Sequence, residues 1–190
     1  AFSAIGAMEG AVSIAENFSW NTSDSSAGYS VDQCLECAQG TMGCEGGYPW
    51  LCYDHIIQNG GIDSEQDWPY LSDSCNRAKE KFEKVASISS FHNVTDGDEV
   101  GLRSALVQQP VSVAVRANCG SFRYYGGGVL DSDCGGGEQA IDHAILAGGY
   151  NLTAKTPYYI VKNSWGESWG ESGYLRMKVG INLDCIACKA

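Results

Sequence analysis

Apolar residues recur at helical spacing along 1–16, at Phe2, Ile5, Met8 and Val12, and predict a helix already under way at Ala1, with no Ser, Thr or Asp cap ahead of it. That helix should stop near Glu16, because 17–30 is rich in Ser, Asn, Asp and Gly and reads as a solvated loop. A second helix is predicted over 49–59, where Pro49 suits a first turn and Gly60-Gly61 a stop. A third spans 98–109 and is closed by Pro110. From there the period shortens to two: 111–115, 143–147, 158–162 and 174–179 are strand-like runs separated by Gly-rich turns. Helices first and strands afterwards predict a single α+β domain, with a mainly helical lobe over about 1–84 and a mainly β lobe over about 85–190. Two lobes imply a cleft between them, a common place for a ligand.

Composition narrows the partners. A chain of 190 residues with 44% hydrophobic and 18% charged residues can bury a sizeable core, which excludes disorder. Its 12 Lys+Arg against 23 Asp+Glu leave a net charge of −11, so nucleic acid and anionic membrane surfaces are not expected partners. No apolar run approaches the ~18–20 residues that cross a bilayer. Nine cysteines and four Asn-x-Ser/Thr sequons, at Asn17, Asn21, Asn93 and Asn151, together indicate the secretory pathway, where disulfides persist and glycans are added. Cys34-Leu-Glu-Cys37 and Cys185-Ile-Ala-Cys188 have zinc-ribbon spacing, but 147 residues separate them where zinc modules use ~15–20. Oxidised sulfur is therefore expected, with no metal and no cofactor. The odd count leaves one cysteine free or paired outside the chain.

Only three histidines are available as a neutral-pH acid or base. His55, on the second predicted helix, and His92 read as packing or surface residues. His143 opens an apolar strand directly after Asp142, where a polar ring needs a partner. The stretch 162–174, Lys-Asn-Ser-Trp-Gly-Glu-Ser-Trp-Gly-Glu-Ser-Gly-Tyr, sets two indoles beside Asn163, an apolar roof that would strengthen a hydrogen bond beneath it by excluding water.

Several separated motifs resemble, in order, the papain family of cysteine peptidases, and its cathepsin L-like members in particular. Ala1-Phe2-Ser3-Ala4 resembles the stretch immediately after the family's nucleophile motif, and Cys44-Glu45-Gly46-Gly47-Tyr48-Pro49-Trp50 its substrate-binding loop. Asn59-Gly60-Gly61-Ile62 and Trp68-Pro69-Tyr70 resemble a stretch common in the cathepsin L-like group. Asp142-His143-Ala144 and Lys162-Asn163-Ser164-Trp165-Gly166 resemble the histidine and asparagine motifs.

The resemblance implies a two-lobed fold, helical on one side and an antiparallel β-barrel-like lobe on the other, with the active-site cleft between, and a chain truncated at both ends. It implies a cysteine-type endopeptidase using a Cys-His-Asn mechanism, with His143 as general base and acid, Asn163 orienting its ring, Trp165 shielding that contact and Trp169 behind it. The nucleophile would precede Ala1, so this stretch alone would be inactive. The helix opening at Ala1 would help hold the thiolate, since a helix N-terminus favours an anion. For papain itself the thiol lies at ~3–4 against ~8.5 for a free cysteine, a shift of ~5 units or about 7 kcal/mol.

Tyr48, Pro49, Ala114 and Ile141 match positions that line the family's main specificity pocket, which is apolar here and implies a bulky apolar side chain one residue upstream of the scissile-bond residue, with Lys189 or Ala190 at its floor. Gly46, Gly47 and Asp142 match further substrate-binding positions, Gly47 offering main-chain hydrogen bonds to an extended peptide. Six residues between Cys37 and Cys44 leave no room for the occluding loop of cathepsin B-like exopeptidases.

The family pairing implies Cys37–Cys75 and Cys134–Cys185, with Cys44 bonded to a cysteine ahead of Ala1. Cys34–Cys52 and Cys119–Cys188 are then expected for the remainder. Polypeptide substrates, an N-terminal peptide of the same protein attached through Cys44, and a propeptide or protein inhibitor are the partners implied, in a lysosomal, vacuolar or extracellular setting. The alternative is an inactive homologue of the same fold, serving as a glycosylated binding or structural module.

Overall fold

The computed structural model describes residues 1–19, 27–71, 75 and 83–190. It divides into two units, 1–92 and 93–190. The division falls later than the 84/85 expected because the segment after 83 is tied to the first unit. Ile62 and Ala86 form a bridge, the Val85 N–H donates to the Ile62 carbonyl at 2.9 Å, and Phe91 lies 5.4 Å from the Tyr53 ring.

In the first unit, α1 (Phe2–Glu16) ends where Asn17 turns left-handed at φ 52°. It buries Ala4, Ile5 and Met8 in a cluster shared with Cys52 and Ile56 of α3 (Pro49–Gln58). Between them lies a helix that periodicity did not reveal, α2 (Val31–Cys37). Ser30 caps it: its hydroxyl accepts from the Gln33 N–H and donates to the Trp68 carbonyl at 2.7 Å. Ser30 and Tyr29 are buried, so the expected solvated loop has ended before them; residues 20–26, with the Asn21 sequon, lie outside the described residues. Cys34–Cys52 bonds α2 to α3, and Cys37–Cys75 bonds the end of α2 to the chain beyond α3.

The second unit is a five-stranded sheet under α4 (Glu99–Leu106), which Asp98 caps by accepting from the Val100 and Gly101 N–H groups. Its strands are β1 (Val111–Val115), β2 (Val129–Leu130), β3 (His143–Asn151), β4 (Tyr158–Lys162) and β5 (Tyr174–Lys178). The order is β1-β3-β4-β5-β2, with β2 parallel to β5 and the other pairs antiparallel. β1 and β2 stay at opposite edges, so the sheet is open and mixed rather than the antiparallel barrel expected. One face buries Val113, Ile145, Tyr159, Val161, Leu175 and Met177 against α4, the four-residue α5 (Gly120–Arg123) and the Leu183–Cys185 turn.

The disulfides here also differ from expectation. Cys119 bonds Cys134 and Cys185 bonds Cys188, in place of Cys134–Cys185 and Cys119–Cys188. Left-handed Asp184 and Cys185 (φ 50° and 66°) close a tight turn in which the Cys188 N–H donates to the Cys185 carbonyl at 2.8 Å, and this brings the two Cα atoms within 5.1 Å. Cys119 and Cys134, with Cα atoms 5.6 Å apart, flank the Ser121 hydroxyl.

Candidate active site

The pairing of β1 with β3 sets His143 opposite Val115, at the mouth of the strand pair. Asp142 clasps the end of β1, its N–H donating to the Val115 carbonyl and its carboxylate accepting from the Ala117 N–H at 2.7 Å. Along β4 the inward positions are Tyr159 and Val161, and Asn163 is the next in that alternation, a polar residue at a core-facing place with 7% exposure. β3 and β4 pair Leu146 with Lys162, so continuing the antiparallel register past β4 brings 163–165 alongside His143. The Asn163 N–H donates to the Gly173 carbonyl at 2.9 Å, which holds the turn in place.

His143 Nε2 lies 2.7 Å from Asn163 Oδ1. The Ser164 N–H donates to the same atom at 2.8 Å, so two donors converge on it and it is the amide oxygen. An oxygen that only accepts requires the proton on Nε2 and leaves Nδ1, which has no protein partner among the described residues, as the ring's basic nitrogen. Asn163 Nδ2 is buried without a partner among the described residues.

Trp165 stacks on the imidazole with centroids 4.9 Å apart, and Trp169 meets Trp165 edge-on at 5.4 Å. Beneath them Phe122, fully buried, touches His143, Trp165 and Trp169 at 6.2, 5.6 and 5.4 Å. The Trp169 indole N–H donates to the Arg123 carbonyl, tying the aromatic group to α5. Burial pushes the His143 pKa below 6.5, while the Asn163 bond and the Asp142 charge pull it up. The assembly is thus a neutral imidazole with one nitrogen fixed and the other open, next to groups that stabilise its charged form. Such a ring can take a proton and return it.

Phe122 was not among the residues expected at the site. The only trace it leaves in the sequence is an aromatic between Cys119 and a Gly-rich stretch, which periodicity does not read. The other two histidines are elsewhere: His55 is on α3 in the first unit, its pKa lowered by burial and the Lys84 charge, and His92 is exposed.

The remaining expected residues fall in both units. Ala114, buried on β1, pairs with Ala144 and donates its N–H to the Lys189 carbonyl at 2.9 Å. Ile141 and Asp142 come directly after the turn Glu138–Ala140. The Lys189 ammonium is occupied by Asp96 and Glu138, and the Ala190 carbonyl accepts from the Val94 N–H. In the first unit, Gly46 has φ 126°, a conformation open to glycine, and its carbonyl accepts from the Met42 N–H at 2.8 Å. Gly46 and Gly47 are exposed, and Tyr48, ahead of Pro49 at the start of α3, stacks on Trp50 at 4.2 Å. Cys44, in the turn Gly43–Glu45, is exposed and free, whereas the other eight cysteines are in disulfides. Among the described residues no group of three or more His, Cys, Asp and Glu is arranged to hold a metal ion.

The profile of the papain family cysteine proteases matches residues 1–189. The chain belongs to that family. Among relatives of this papain-family chain, Oryzain beta chain of Oryza sativa subsp. japonica is 41% identical over 163 residues, 84% of this chain and 34% of its own length. Probable cysteine protease RDL2 of Arabidopsis thaliana is 35% identical over 96% of this chain and 49% of its own. Zingipain-1 of Zingiber officinale is 37% identical over 95% and 77%. The chain therefore spans half or less of the first two. Bromelain protease of Ananas comosus, solved with the E64 inhibitor, superposes with a TM-score of 0.84 at 33% identity, covering 99% of this chain and 84% of that one. The Amb a 11 cysteine protease of ragweed pollen, solved in its proform, gives a TM-score of 0.86 at 30% identity, over 99% and 56%. Both likenesses agree with the α+β fold described above.

Proposed function

We propose that the protein to which this chain belongs is a cysteine-type endopeptidase. Its nucleophile is a thiolate from a residue ahead of Ala1, since eight of the nine cysteines here are locked in disulfides and Cys44 matches a family bridge position. The observation that carries this reading is the 2.7 Å contact of His143 Nε2 with Asn163 Oδ1 under Trp165, which leaves Nδ1 open. In this scheme His143 Nδ1 takes the thiol proton, and the resulting imidazolium and the N-terminus of α1 stabilise the thiolate. The thiolate attacks the peptide carbonyl, the C–N bond breaks as His143 gives its proton to the leaving amine, and a thioester remains. Water, deprotonated by His143, then attacks the thioester carbonyl, the C–S bond breaks, and acid and thiol are restored. Asn163 holds the ring throughout, and the aromatic group keeps water from their hydrogen bond.

We assign Gly46 and Gly47 to main-chain contacts with an extended substrate, Tyr48, Pro49, Ala114 and Ile141 to recognition of a bulky apolar side chain one residue upstream of the scissile-bond residue, and Asp142 to a further substrate contact. No cofactor enters the scheme. Four disulfides support an oxidising compartment, vacuolar, lysosomal or extracellular, and the exposed Asn17 and Asn93 and half-exposed Asn151 suit glycan addition. Free, exposed Cys44 fits a bridge to an N-terminal peptide of the same protein, and a propeptide fits a relative known in a proform.

The test is hydrolysis, by the full-length protein at pH 5–6, of a fluorogenic peptide with Leu or Phe one residue upstream of the cleaved one. Loss of turnover by at least 10³-fold in His143→Ala is expected. A full-length protein that leaves the peptide intact is instead the inactive, binding homologue.

A further inference from the structure

The outward face of β4 and β5 carries Tyr158, Ile160 and Lys162 on one strand and Tyr174, Arg176 and Lys178 on the other, paired in register as Tyr158 with Lys178, Ile160 with Arg176 and Lys162 with Tyr174. Ile160 and Tyr174 are 40% and 42% exposed. On the β3 side Ile160 faces Gly149, beside exposed Gly148, so no side chain covers that flank.

The charges on this face are not equivalent. Arg176 is closed on itself, bonded to the Glu171 carboxylate through Nε and Nη2 and lying 5.3 Å over the Tyr158 ring. Elsewhere in this unit Arg103 and Lys189 are in ion pairs, and Arg116 donates to the Cys134 and Gly135 carbonyls. Lys162 and Lys178, like Arg123 and Lys155 elsewhere in this unit, have no carboxylate partner among the described residues, in a chain where Asp and Glu outnumber Lys and Arg by 23 to 12; they are the two that share this face. Like-signed and unpaired, they stand at opposite ends of the two strands, with Ile160 and its ion-paired partner Arg176 between them.

Four residues along a strand and one strand across place their Cα atoms ~14 Å apart, at ~3.3 Å per residue and ~4.8 Å between strands. A second extended chain repeats that span: residues i and i+4 are ~13 Å apart on one face, with i+2 midway. In a helix i and i+4 are only ~6 Å apart. We propose that this face is a docking surface for an extended protein segment of the pattern acid–x–apolar–x–acid, whose two carboxylates meet Lys162 and Lys178 and whose central side chain covers Ile160. The surface adjoins the His143–Asn163 pair along the chain, Lys162 directly preceding Asn163, but lies on the opposite face of the strand, and binding there does not depend on hydrolysis.

The experiment uses full-length protein in a His143→Ala background, so that no peptide is consumed. Fluorescence anisotropy tracks a labelled peptide containing Glu-Ser-Leu-Ser-Glu and its out-of-phase isomer Glu-Leu-Ser-Ser-Glu. Expected are saturable binding of the first that weakens as salt is raised, at least fivefold weaker binding of the second, and at least tenfold loss in Lys162→Glu/Lys178→Glu with unchanged thermal unfolding. Ile160→Thr, which keeps a β-branched residue in the strand, should weaken the first peptide toward the second. Equal binding of both peptides, binding indifferent to the charge reversals, or heparin binding to the lysines while neither peptide does would overturn the proposal.

Discussion

Replacing Asn163 by Asp probes the centre of the site with almost no change of shape. Oδ1 would still receive the His143 and Ser164 N–H groups, at 2.7 and 2.8 Å in the parent, while the partnerless Nδ2 becomes the second oxygen of a carboxylate. An opposite charge in contact typically raises a histidine pKa by about 1–3 units, or about 1.4–4 kcal/mol in favour of the charged ring. In the parent, burial holds His143 below its ordinary value. Between that lowered value and ~6.5 the unfolded chain binds the additional proton, so the His143 contribution to stability falls as pH drops through this interval. In Asn163→Asp the order is reversed: the contribution is favourable below ~6.5 and is lost as pH rises through the folded value. Imidazole ¹H–¹⁵N correlation spectra of the full-length protein, with the nucleophile blocked as a neutral mixed disulfide, report the titration directly. A His143 pKa above 6.5 in the parent, or one unmoved by Asn163→Asp, would refute the reasoning.

Three further outcomes are expected in the same unit. Burial pushes the Asp184 carboxyl up to about 6, with the neighbouring Asp133 carboxyl adding to the rise, while one oxygen accepts from the Cys134 N–H. Its folded pKa exceeds its unfolded one, so the native state holds the proton between ~3.8 and about 6 and stability declines across that window; Asp184→Asn should stabilise by up to about 3 kcal/mol above pH 6 and much less below pH 4 in denaturant titrations. Phe122→Ala, at a fully buried ring under His143 and both indoles, should cost about 3–5 kcal/mol by the same measurement. At Gly170 (φ 58°) an added Cβ would sit 2.5 Å from the Tyr174 carbonyl, so Gly170→Ala should disturb the Trp169 turn, which indole fluorescence would register as a change in the native spectrum.

Legibility in the sequence tracked how many residues carried each signal. β1 and β4 match their predicted bounds because five residues already span more than two repeats of a strand's period of two, and α1, with about four turns of its own period, ends where the polar run begins. α5 and β2, of four and two residues, are too short to hold a period, and Phe122 therefore carries no periodic signal. α2 was hidden by its length of seven residues and by a cap, Ser30, at the end of a polar stretch. The His143 and Asn163 residue types stood out, since a polar ring opening an apolar strand and an amide beside two indoles both need explanation, yet their contact came only from the β3–β4 register. Disulfide pairing in the second unit was the least legible. Cys119, Cys134, Cys185 and Cys188 have partners set by the left-handed turn at Asp184 and Cys185, two non-glycine residues whose conformation no propensity reveals.

The most direct test of the account is labelling of the full-length protein at pH 5–6 with a thiol-directed epoxide, followed by peptide mass mapping. A thiolate served by His143 predicts stoichiometric modification of one cysteine ahead of Ala1, slowed at least 10²-fold in His143→Ala. Absence of labelling, or labelling confined to Cys44 and indifferent to His143, would contradict it.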